Sequence, residues 1–378
     1  MRGSALLLAL FLIGGCSTLD NLNPFSSSSK VKMAELTPIN PSADLRLSWK
    51  GALGEAGNYT FVPAVIGDTV YAAARNGAIA RFDGGAEAWR INAGQSLSGG
   101  VGADAALVVV GTPKGEVLAY DTRGQPLWKA RVSSEVLAPP AFADGAVIVR
   151  SGDSRIFCLD ARDGKQRWVY QRTTPPLSLR GPAGVAVADK LVLAGFPGGK
   201  LVAISSANGA AVWEASVTLP RGSTELERVA DVTGTPVVSG RAVCAAAYQG
   251  RVGCFDLAGG NALWAREMSS DVGLDVDDRF VYVTDDKSAV HALDRSNGAS
   301  MWKQDKLFMR GVSRPVAAGP YILVGDVAGV VHALKREDGS FAARFSTDSS
   351  GVVGEPRKFA SGAAVQTRDG GLYALTVQ

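Results

Sequence analysis

All seven tryptophans of this 378-residue chain fall at one place in a repeating pattern. They are Trp49, Trp89, Trp128, Trp168, Trp213, Trp264 and Trp302, at intervals of 40, 39, 40, 45, 51 and 38 residues. An eighth position, 43 residues further on, holds Phe345. A second column lies upstream of each: Asp83, Asp121, Asp160, Asp256 and Asp294, with Ser205, Lys335 and Thr376 in the remaining units. A Gly-containing turn recurs before that column, as in Asn76-Gly77, Lys114-Gly115 and Gln249-Gly250. Residues 235–266 show the unit in full: four short strands of small and β-branched residues, reversing at Ser239-Gly240, Gln249-Gly250 and Gly259-Gly260. One such meander has two apolar faces and two open edges, so it needs copies of itself on either side. A period near 40 with four strands per unit predicts an all-β chain folded as a β-propeller.

The count predicts how the ring closes. Seven complete units run from Phe61 to about Ser346. After them, Glu355 to Val377 supplies three strands and no tryptophan strand, while Leu45 to Lys50 supplies a tryptophan strand with nothing ahead of it. The two fragments complete each other. The prediction is an eight-bladed propeller of four-stranded antiparallel blades over residues 45–378, its last blade built from both termini. Such closure pairs edges that would otherwise invite aggregation.

Ahead of the propeller, residues 1–15 read as an address. Met1-Arg2 precedes a nine-residue apolar run, Ala5 to Ile13, too short to span a bilayer as a helix. Gly14-Gly15-Cys16 follows, and the whole resembles a bacterial lipoprotein signal, which implies cleavage before Cys16 and its acylation. Several acyl chains on one residue give stable anchoring. Ser17 rather than Asp after the Cys points to the outer membrane, on its periplasmic face. Residues 16–44 then read as a lipidated Cys and a flexible tether, since Asn, Pro and the run Ser26 to Ser29 oppose a packed element.

A formal net charge of +3 gives no basic footprint for nucleic acid. His291 and His332, the two histidines, occupy matching places in V-H-A-L repeats and cannot supply a metal site by themselves. The acid-rich stretch from Asp271 lacks the Gly and the closing Glu of a calcium loop. No nucleophile elbow or P-loop is present, and the expectation is no catalytic residue, no cofactor and no metal. Cys244 and Cys254 lie on neighbouring strands, equally far from the Gln249-Gly250 turn. A cross-strand disulfide and two small buried thiols both fit; the thiols are preferred, because directly opposed strand positions are strained hosts for the bond.

The period breaks twice, and both excesses fall between an outer strand and the next blade's first strand. These are Thr173 to Pro182 (TTPPLSLRGP) and about Leu219 to Gly234 (LPRGSTELERVADVTG). Connections of this kind emerge on one face of a propeller, so the two loops flank one blade on one surface, where function concentrates. Leu177, Leu179 and Arg180 stand on the first loop and Asp231 on the second. Two readings stay open. Either the leucines and the forked guanidinium form a hot spot for a partner, or the leucines tuck into the propeller and the charges are solvated.

SLSLRGP and STELERVADVTGTPVV, on an eightfold tryptophan-repeat propeller behind a lipoprotein signal, resemble the BamB family of the β-barrel assembly machinery. The resemblance implies a non-enzymatic scaffold that binds the POTRA domains of a BamA-type barrel assembly subunit and assists folding and insertion of outer-membrane proteins. It maps partner contact onto Leu177, Leu179, Arg180 and Asp231. Members often carry a second acid two residues after the last; here that residue is Thr233. Nascent outer-membrane protein strands are a further implied partner, by strand addition at blade edges. The alternatives are a propeller scaffold of another envelope complex and a quinone-dependent dehydrogenase, which would use the central funnel rather than the two loops.

Overall fold

A computed structural model describes residues 32–352 and 354–378. It holds eight four-stranded antiparallel sheets. Blades 1 to 7 cover residues 64–92, 99–131, 141–170, 185–216, 237–267, 274–304 and 316–346. Blade 8 takes Arg357–Phe359, Gly362–Gln366 and Gly371–Val377, with Leu45–Ala52 as its outer strand. Leu45 faces Val377 and Ala52 faces Gly371, so the ring closes by antiparallel pairing of the two ends of the propeller segment. The predicted architecture and closure are both observed.

The repeated residues explain why the blades stack. In blades 1 to 6 each tryptophan indole N–H donates to a carbonyl of the next blade, as Trp89 to Thr122 at 2.9 Å and Trp168 to Ser206 at 2.8 Å. A glycine of that next blade lies flat against the ring. A Cβ on Gly298 would sit 2.5 Å from Trp264, and the backbone there has φ +72°, so only glycine fits on both counts. The aspartates close the turn beside it: Asp121 accepts the N–H groups of Arg123 and Gln125, each at 2.9 Å. In all eight outer strands the register slips by one residue just before the tryptophan position. This bulge interrupts the ladder on each exposed edge.

Three expectations are corrected. The eighth tryptophan position is Ala343, which faces Ala333 as Trp302 faces Ala292. Phe345 lies two residues beyond and packs edge-on against Tyr373. Spacing alone could not distinguish neighbouring positions on the same strand face. Cys244 and Cys254 form a disulfide across directly opposed positions, so the preference for buried thiols gives way; Cys158 is buried and free. The third concerns the tether. From Met33 on, the chain belongs to the propeller unit. Ser42 and Ala43 donate to the carbonyl of Ala342 at 2.9 and 3.3 Å, beside the small residues that stand in place of a tryptophan. Leu36 packs into the core between blades 6 and 7. Arg310 and Arg344 hold the strap by its carbonyls, donating to Ala34 at 2.8 Å and Thr37 at 2.5 Å. Cys16 and residues 1–31 lie outside the described residues.

Both histidines serve this framework. His332 is fully buried; its Nε2 pairs with Asp326 at 3.1 Å and its Nδ1 accepts from Arg344 at 3.2 Å. Arginine only donates, so Nδ1 is bare and the proton sits on Nε2. Asp326 also accepts from Arg310 at 2.6 Å. His291 pairs with Asp285 at 2.9 Å in the same place of blade 6.

Candidate docking face

The two enlarged loops leave blades 3 and 4 on the same face, as expected. The second contains one helical turn closed by a capping box: Glu227 accepts the N–H groups of Ser223 at 2.8 Å and Thr224 at 3.2 Å, and Thr224 Oγ1 accepts the N–H of Glu227 at 3.2 Å. The chain then dives inward. Val229, Ala230, Asp231 and Val232 are all buried, with Val232 in the core between blades 4 and 5.

Asp231 is thereby not on the surface, where a partner contact was expected of it. It is 3% exposed and both carboxylate oxygens are occupied from within. Oδ2 accepts the N–H of Leu179 at 2.7 Å, and Oδ1 the N–H of Gly198 at 3.1 Å. The Asp231 carbonyl accepts from Tyr248 at 2.8 Å. One buried acid thus ties the first loop, blade 4 and blade 5 together. Arg150 lies beneath, its guanidinium donating to Gly195 O at 2.6 Å and stacked 5.4 Å from the Phe196 ring. Burial lowers the Arg150 pKa to about 10, and the nearby Asp231 charge opposes that shift.

Holding the loop by its backbone leaves its side chains outward. Leu177 and Leu179 are 40% and 42% exposed, so they stand outward and are not tucked into the propeller. Leu219 and Leu226 on the second loop are more exposed still, at 60% and 72%. Arg180 makes an ion pair with Glu135 at 3.0 Å, its side chain mostly exposed. The Ser134 hydroxyl, and then Arg180, hold the Glu135 carboxyl below the usual range against the effect of burial. Leu179, Arg180 and Pro182 border a funnel of about 310 Å³, completed by Thr233, Asp271, Arg314 and Glu355 of other blades. The first loop therefore overhangs the propeller axis. Thr233 donates to the carbonyl of Asp271 at 2.8 Å, so this position braces the second loop.

Sequence reading missed Glu135 and Arg150, because the pairings cross 45 and 81 residues and carry no local signal. Leu226 was legible as a large apolar residue inside a polar loop.

A family model described as outer membrane protein assembly factor BamB matches residues 75–304. The outer membrane protein assembly factor BamB of Bordetella pertussis is 41% identical over 377 residues, covering 99% of this chain and 96% of that protein. The chain belongs to the BamB family. The crystal structure of BamB from Moraxella catarrhalis superposes with a TM-score of 0.81 at 31% identity, covering 88% of this chain and all of that one. A quinohemoprotein alcohol dehydrogenase from Comamonas testosteroni reaches a TM-score of 0.71 at 13% identity, covering 88% of this chain and 76% of that one. That second likeness speaks to the propeller fold alone. As a BamB-family chain, this is an outer membrane protein assembly factor.

Proposed function

We propose that the chain acts without catalysis, as a lipid-anchored scaffold whose loop face binds the POTRA domains of a BamA-type barrel assembly subunit. The observation that carries this reading is the buried Asp231 clamp: it fixes the backbone of the first loop while Leu177, Leu179 and Arg180 face outward. A pre-formed apolar pair beside a guanidinium keeps the entropic cost of docking low. Arg180 is already paired with Glu135, so an acidic partner group competes with that contact and does not fill an empty site. The leucines supply affinity and the charge supplies selection. Acylation at Cys16 after removal of residues 1–15 would hold the scaffold at the periplasmic face of the outer membrane. Nascent outer-membrane protein strands are a secondary partner class; the bulge in every outer strand makes those edges poor templates, so the loops carry the main contact.

The test is affinity capture from gently solubilised envelopes, comparing wild type with Leu177→Ala, Leu179→Ala and Arg180→Ala combined. Wild type brings down the barrel assembly subunit and the folded triple variant does not. Equal capture by both moves the contact off these loops. No capture by either refutes the scaffold reading. A Cys16→Ser chain should leave the outer-membrane fraction; if it stays, anchoring lies elsewhere.

A further inference from the structure

The docking face uses one end of the propeller, and the central channel behind it has no role in that reading. The channel encloses about 780 Å³, within the range of small-molecule sites. Its wall is divided. Blades 1 to 3 line it with apolar and small residues, among them Pro139, Pro140 and Phe142, and no charged side chain. Blades 6 to 8 contribute every charge.

Those charges do not cancel locally. On the blade 6 side the balance is negative: Asp277 accepts the Tyr282 hydroxyl at 2.7 Å and pairs with Arg336 at 2.8 Å, and Asp278 shares the same guanidinium, so two carboxylates meet one cation. Asp275 accepts the Ala317 N–H at 2.8 Å and lies 4.0 Å from Arg314. Toward blade 8 the balance reverses. Glu355 is shared between Arg314 at 2.9 Å and Arg357 at 3.3 Å, with the Thr235 hydroxyl at 3.4 Å. The Lys358 ammonium, also on the channel wall, has no ion-pair partner among the described residues. Arg314 and Arg357 thus face Glu355 and Asp275 in equal number, and Lys358 adds one positive charge on the blade 8 side that no ion pair among the described residues offsets. Burial lowers the Arg357 pKa, and the Glu355 charge opposes that shift.

Arg314 borders both the channel and the funnel of the docking face, and its pair with Glu355 lies at that junction. The charged cluster therefore forms the inner end of the channel. The other end carries the turns at Asp278, Gly319 and Arg336, on the face opposite the loops.

We propose that this channel binds a small amphipathic carboxylate, its head on Arg357 and Lys358 and its apolar body against Pro139, Pro140 and Phe142. A single excess charge fits a monoanion better than a phosphate dianion, and a guanidinium fork matches a carboxylate. Entry is from the face away from the loops, so ligand and docking partner do not compete.

Calorimetric titration of the purified full chain tests it, with octanoate as probe and acetate and octylammonium as controls. The expected result is saturable octanoate binding at one site per chain, with acetate about tenfold weaker or worse and no saturable octylammonium binding. Lys358→Glu alters an exposed side chain and should melt like wild type while losing about tenfold or more in octanoate affinity. Absence of saturable octanoate binding overturns the proposal. So does octylammonium binding as tightly as octanoate, or unchanged affinity in Lys358→Glu.

Discussion

Two extended segments lie on this propeller, and the side chains that grip them act in opposite senses. The first loop is held by a carboxylate that accepts its N–H, from Asp231 to Leu179. The N-terminal strap is held by guanidiniums that donate to its carbonyls, from Arg310 to Ala34 and from Arg344 to Thr37. Both grips seize backbone, so neither specifies the side chains of the segment it holds. What differs is where those side chains go. In the strap, Leu36 turns inward to the core of blades 6 and 7. In the loop, Leu177 and Leu179 turn outward. The strap completes the fold where blade 7 lacks a tryptophan; the loop spends its apolar residues on a surface.

The largest effect should come from the strap's anchor. Asp326→Ala leaves buried Arg310 and His332 without their shared partner and should cost about 3–5 kcal/mol in denaturant unfolding. A loss below about 1 kcal/mol would mean the network is not cooperative. Next is Asp231→Ala. It strands the N–H groups of Leu179 and Gly198 and should cost about 1–3 kcal/mol. Hydrogen exchange should accelerate at those two amides while the strap stays protected; uniform acceleration would erase the distinction between the two regions.

The strap should also be the acid-sensitive region. Burial lowers the folded-state pKa of His332, against the opposing pull of Asp326, with Arg344 and Arg310 adding to the lowering. The unfolded chain then binds the extra proton first, below about pH 6.5, so stability falls as pH drops from there toward the depressed folded value. The slope is at most about 1.4 kcal/mol per pH unit for one proton. Asp326, also depressed, adds loss in the same direction below about pH 3.9. Thermal melts between pH 7.5 and 5 should show this, and His332→Asn, which can donate to Asp326 and accept from Arg344, should flatten it. Smallest on stability are Leu177→Ala and Leu179→Ala, within about 0.5 kcal/mol by chemical denaturation, since neither side chain is buried. Their effect is expected in the docking measurement below.

The contrast also marks what a sequence discloses. Trp49 to Trp302, the aspartates and the turn glycines recur at fixed offsets, so blade number and the closing of blade 8 by Leu45–Ala52 were readable. Loop placement followed from where the period lengthens. The strap was not readable, because its grip comes from Arg310 and Arg344, nearly three hundred or more residues away, acting on carbonyls that every residue possesses. The same holds for Asp231. Its residue type suggested a surface charge, and only the fold shows both of its oxygens occupied by backbone N–H groups. Contacts from side chain to distant backbone leave no pattern in a single sequence.

We propose that Asp231 sets the loop while Leu177, Leu179 and Arg180 do the docking. The most direct measurement is the affinity of purified POTRA domains for wild type, Asp231→Asn and Leu179→Ala. Both variants should bind about tenfold more weakly or worse, Leu179→Ala with loop exchange unchanged and Asp231→Asn with exchange at Leu179 accelerated. Wild-type affinity in Asp231→Asn despite a loosened loop would contradict the account.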